Sequence, residues 1–150
     1  MTQENKELLL KDLSARLPYG VEVNYKEHEY DIRHWKIDSL HTPTYSESGI
    51  LIDTDYEGWI SFTEYKGCGM STGSRPLHIE KNLPFLRSMS SMTKEERNVY
   101  HSYCDYYYGT YFDTVGSIDW LNAHHFDYRG LIEKGLALEA PKGMYNIKEN

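Results

Sequence analysis

Near the start of the chain, Leu8, Leu9, Leu13 and Leu17 recur at helical spacing, while Lys6, Glu7, Lys11, Asp12 and Arg16 fall mostly on the remaining face. Apolar positions returning every three to four residues predict an amphipathic helix over residues 4–17. Pro18 ends it, because a proline disfavours helical geometry in the residue before it, and Tyr19-Gly20 turns the chain. The period then drops to two. Val21, Val23 and Tyr25 alternate with polar residues, and after a turn around Lys26-Glu27-His28 the run 30–40 alternates again, with Tyr30, Ile32 and His34 on one face and Trp35, Ile37 and Ser39 on the other. That pattern predicts a hairpin. A second hairpin is expected from Ile50-Leu51-Ile52 and residues 59–63, joined through the turn chemistry of residues 55–58.

Residues 66–76 begin KGCGMSTGSR and are rich in Gly and Ser, which predicts a loop between a strand-rich half, 1–65, and a mainly helical half, 77–140. Leu77-His78-Ile79 reads as a last strand. Thr93, with Glu96 three residues on, is a capping-box pattern that starts a helix carrying Tyr100, Tyr103 and Tyr107 on one stripe, up to Gly109. A further helix is expected over 117–124, and then a short one capped by Asp127, running through Lys134 and closed by Gly135. Residues 141–150 read as a loosely held tail. The expectation is one domain of the α+β class: an N-terminal helix, an antiparallel four- to five-stranded sheet or small barrel, and two to three C-terminal helices.

Composition explains how so polar a chain folds. Mean hydropathy is −0.68, yet 14 Tyr, 3 Trp and 4 Phe supply large rings that bury area, and tyrosine scores as polar while doing so. The formal charge of −7 and the pI near 5.5 argue against binding nucleic acid or an anionic membrane through the bulk field. A local patch of Lys81, Arg87, Lys94 and Arg97 is the one basis for a nucleic-acid reading. No apolar run approaches the roughly 18–20 residues that cross a bilayer, and the opening MTQENKELLLKDL carries charges where a signal peptide has its apolar core. A cytoplasmic protein with no membrane partner is expected. Cys68 and Cys104 are far apart and lack CxxC spacing, so they read as free thiols.

Candidate chemistry is sparse. The stretch 67–73 has the glycines of a phosphate loop, but Gly73 is followed by Ser74-Arg75-Pro76 and lacks the lysine and hydroxyl such a loop needs. His28, His34, His41 and the pair His124-His125 show no HExxH spacing, and adjacent helical residues point about 100° apart, so no metal is expected. Asp53, Asp55 and Glu57 share one face of an extended segment, as catalytic carboxylates or as the acids of a turn beside Gly58. Cys104 stands three residues after His101 without a visible third group to orient a thiolate pair. An enzymatic reading therefore rests on His34, His41, Asp53, Asp55 and Cys104, with no cofactor implied.

The densest feature is residues 100–112, YHSYCDYYYGTYF. One buried helix face cannot use all these rings. From residue 98 to 128 there is no Lys or Arg, while Asp105, Asp113, Asp119 and Asp127 are present. Tyrosine is enriched at protein interfaces because it joins rigid area to a polar tip. Tyr103, Tyr106, Tyr107, Tyr108 and Tyr111 are thus candidate contacts for a protein partner of basic character, or else they pack the helices onto the sheet. His124, Tyr128 and Arg129 are candidates for the same surface, displayed at a helical corner whose alternative role is architectural.

Three blocks carry a resemblance: residues 10–21 (LKDLSARLPYGV), residues 90–93 (SSMT) and residues 119–137 (DWLNAHHFDYRGLIEKGLA). Together they resemble a family of small proteins of Bacteroides and of its phages, prophages and mobile elements. The resemblance implies a cytoplasmic accessory protein carried by mobile DNA. It brings no activity, cofactor or catalytic residue with it, and the expected function is non-enzymatic: binding a protein partner through the acidic, tyrosine-rich surface.

Overall fold

Thr2 opens the first helix, its hydroxyl accepting the Asn5 N–H at 3.2 Å, and α1 runs over Gln3–Arg16. These observations come from a computed structural model, which describes residues 1–28, 31–41, 59–66, 69–76, 82–104 and 113–145. Leu9 and Leu13 are fully buried, as the period predicts. Asp12 and Arg16, expected on the polar face, are buried as well. They satisfy each other one turn apart, with Arg16 Nε donating to Asp12 Oδ2 at 2.7 Å and Nη2 donating to Oδ1 at 3.1 Å. A charge enters an interior only when it is paired and hydrogen-bonded, and the i,i+4 spacing supplies that partner within one helix. Pro18 falls in a single 3-10 turn, Leu17–Tyr19, closed at Gly20, whose N–H donates to the Leu17 carbonyl. Gly20 has φ +71°, and the Lys36 stem passes where a Cβ would stand.

Four strands follow: β1 (Glu22–His28), β2 (Asp31–His41), β3 (Trp59–Lys66) and β4 (Gly69–Pro76). They pair antiparallel in chain order. The first hairpin joins the two predicted strands, with Glu22 opposite Lys36 and Tyr25 opposite Arg33, but the turn expected around Lys26-Glu27-His28 is instead the end of β1, where His28 pairs with Asp31. Val21, Val23 and Ile37 are buried. A bulge between Ile37 and Ser39 interrupts the strict alternation expected over residues 30–40.

Two expectations are corrected here. The Gly/Ser-rich stretch, expected to be a loop over 66–76, contains β4, paired with β3 from Trp59–Pro76 to Lys66–Gly69. Glycine and serine carry little strand propensity of their own, so pairing overrides it. The predicted partner of residues 59–63 is replaced too, since β3 pairs with β2 on one edge and β4 on the other. Residues 50–54 and 77–79 lie outside the described residues.

The chain divides into two compact units, residues 1–85 and 86–150. A short sheet pairs β5 (Phe85–Leu86) with β6 (Leu138–Glu139). Within the second unit, α2 spans Lys94–Cys104 and α3 spans Thr114–Ala123. Helix α3 begins earlier than the predicted residue 117, because Asp113 caps it, its Oδ1 accepting the Gly116 N–H at 2.7 Å. The short helix expected after Asp127 is instead a series of turns over residues 128–135. Asp127 still serves as a cap, accepting the N–H groups of Leu131 and Ile132, each at 2.8 Å. The mixture of helices and small sheets is of the α+β kind.

Candidate functional site

The capping box read from Thr93 and Glu96 is formed in both directions. The Thr93 hydroxyl accepts the Glu96 N–H at 3.1 Å, and Glu96 Oε2 accepts the Thr93 N–H at 2.8 Å. Arg87 adds a second use of the same carboxylate, donating from Nη1 to Oε1 at 2.8 Å and from Nη2 to Oε2 at 2.9 Å. Both side chains are about four-fifths buried. Hydrogen bonding to Arg87 is the main cause that holds the Glu96 carboxyl below its ordinary range. Burial opposes it, while the Thr93 N–H and the charges of Arg87 and His124 add to it. The guanidinium also lies 4.1 Å over the centre of the Phe126 ring. Arg87 thus ties the start of α2 to the turn after α3.

That turn has a specific form. The Phe126 N–H donates to the Leu121 carbonyl at 2.9 Å and the His125 N–H to the Asn122 carbonyl at 3.1 Å. These are the two bonds of a Schellman motif, which places His125 at the position where glycine is usual. His125 has φ +57°, and among the described residues it alone is left-handed without being glycine. Leu121 and Phe126, the apolar pair that accompanies the motif, belong with Met92 to one buried cluster, against which Met89, Tyr100, Trp120 and Tyr128 pack. A pile of rings follows: Trp120 lies 6.0 Å from Tyr100, 5.7 Å from Phe126 and 4.0 Å from His124, the last two stacked. The Trp120 carbonyl can only accept, so His124 Nδ1, at 2.8 Å from it, carries the proton of that bond.

A cleft of about 750 Å³ opens in the second unit, lined by residues of the 87–96 and 139–145 segments. Arg87 and Glu96 line it already paired to each other. Tyr145 lines it too, its ring stacked on His125 at 3.8 Å and 19°.

Against this geometry the predicted site residues fall into three groups. Tyr103, His124, Tyr128 and Arg129 are described and half-buried. His124 and Tyr128 belong to the packed corner, and the Arg129 guanidinium lies 4.8 Å over the Tyr128 ring. His34, His41 and Cys104 are placed by backbone only, on β2 and at the end of α2. Asp53, Asp55, Tyr106, Tyr107, Tyr108 and Tyr111 lie outside the described residues. Asp127, expected on an acidic surface, is 8% exposed and commits its carboxylate to backbone N–H groups. Among the described residues no group of three or more His, Cys, Asp or Glu could hold a metal, and no helix is long and apolar enough to cross a membrane.

The feature that sequence reasoning missed is on α3. Val115 is 71% exposed and Ile118 38%, three residues apart and flanked by the exposed Asp113 and Asp119. A helix starting at residue 117 leaves Val115 in a connection; the Asp113 cap is the signal that places it on the helix. Comparison with protein-family models, with curated proteins and with solved structures gives no match.

Proposed function

We propose that this protein is a non-enzymatic accessory protein, of phage or mobile-element origin, that binds a protein partner through the outer face of α3 and the tyrosine-rich stretch before it. The observation that carries the reading is the exposed Val115–Ile118 pair. Apolar side chains so open to water are stabilised when a partner covers them, and a rim of Asp113 and Asp119 favours a partner that is basic around an apolar centre. The sequence adds Tyr106, Tyr107, Tyr108 and Tyr111 a few residues upstream, and the whole span 98–128 is free of Lys and Arg up to Tyr128. Arg87, one of the four residues of the basic-patch reading, is engaged by Glu96 and Phe126, which weakens that alternative.

A photo-crosslinking residue at position 115, compared with one at the exposed Lys11, tests this in lysate of the native host. A discrete protein adduct at 115 and none at 11 is expected. Equal labelling at both positions, or none at 115, would falsify the reading.

A further inference from the structure

We infer that residues 139–145 form a detachable strap along the cleft, latched by the stack of Tyr145 on His125. Three observations meet here. Six of its residues line the cleft, together with Arg87, Ser91, Thr93 and Glu96. None of its seven residues is buried, and Glu139, Pro141, Lys142 and Gly143 are exposed, so the segment itself anchors little apolar side chain in the interior. It leaves the sheet at one end, where Glu139 closes β6 on β5 and the Ala140 N–H donates to the Leu86 carbonyl at 2.7 Å, and at the other end Tyr145 stacks on His125. Between them the chain bonds to itself, the Met144 N–H donating to the Pro141 carbonyl at 3.0 Å.

His125 gives the latch its specificity. A helix closed by a Schellman motif ordinarily has glycine at this position, since a side chain in the left-handed region crowds the carbonyl oxygen that follows it. The imidazole held there is 3% exposed and stacks face to face on Tyr145. A strained residue whose ring meets a lightly held segment at the edge of a cavity is the arrangement of a clamp. Breaking the stack frees the far end of the segment and widens the cleft, while the corner built on Leu121 and Phe126 stays folded.

Amide hydrogen exchange on the full chain tests the strap, comparing the Ala140 N–H with those of Phe126 and Leu136. In the native protein the Ala140 amide is expected to exchange faster than the other two. Tyr145→Ala is expected to speed Ala140 roughly tenfold and leave Phe126 and Leu136 unchanged. His125→Asn tolerates the left-handed backbone but lacks the ring, and is expected to do the same. Exchange of all three amides in step, or an Ala140 rate indifferent to Tyr145→Ala, overturns the strap.

Discussion

The second unit turns the same corner twice, and the two copies differ in the residue at the left-handed position. At the end of α3 the motif runs from Leu121 to Phe126 with His125 in that position. Ten residues later it runs from Leu131 to Leu136, the Leu136 N–H donating to the Leu131 carbonyl at 2.8 Å and the Gly135 N–H to the Ile132 carbonyl at 3.0 Å. Gly135 there has φ +67° and nothing within 4 Å of the place a Cβ would take. Each corner buries its flanking apolar pair. The backbone problem is therefore the same, and glycine solves it with little strain in the second corner. In the first, a histidine accepts the strain, and its ring is set against Tyr145. A single chain thus separates what the turn requires from what its occupant does.

The largest effect that would break this comparison is loss of the apolar anchor. Phe126→Ala removes a fully buried ring that Arg87 covers and is expected to cost about 3–5 kcal/mol, more than Leu136→Ala at about 2–4 kcal/mol, by chemical denaturation. Equal costs would mean the two corners carry equal weight. Next comes Glu96→Gln, expected to cost about 1–2 kcal/mol at neutral pH, since it weakens charged hydrogen bonds that are only partly shielded from water. Glu96 has a folded pKa below its unfolded one, so its contribution is complete above the ordinary glutamate value of 4.5 and is lost as pH falls through the lower folded value. The variant should show a shallower loss of stability below that pH.

Smaller still are the two left-handed positions. Gly135→Ala is expected to destabilise by about 1 kcal/mol, from backbone conformation alone because the site has room. His125→Gly relieves strain and removes the stack together, so the expected net change in global stability is within about 1 kcal/mol of zero. A loss of several kcal/mol in His125→Gly would show the ring to be core and not latch.

What the residues disclose in advance is local. The capping box at Thr93 and Glu96, the end of α1 at Pro18, the first hairpin and the closure at Gly135 are each set by neighbours within a few positions. Long-range partners override local signals elsewhere. Gly69–Pro76 becomes a strand because β3 offers a ladder. Asp12 and Arg16 leave the polar face because they neutralise each other inside. His124 and His125, adjacent in sequence, are two rings sent to different stacks by one left-handed residue. The exposed pair on α3 is hidden for a local reason: its first turn is set by the Asp113 cap, ahead of the apolar period that starts at Ser117.

The central claim is that the outer face of α3 holds a protein partner. The most direct measurement is titration of the partner captured at position 115 against the native chain and against the double variant Val115→Ser, Ile118→Ser, with the melting temperature of each measured alongside as the check on the fold. Affinity at least roughly tenfold weaker in the variant is the expected result. Unchanged affinity with an intact fold would contradict the account.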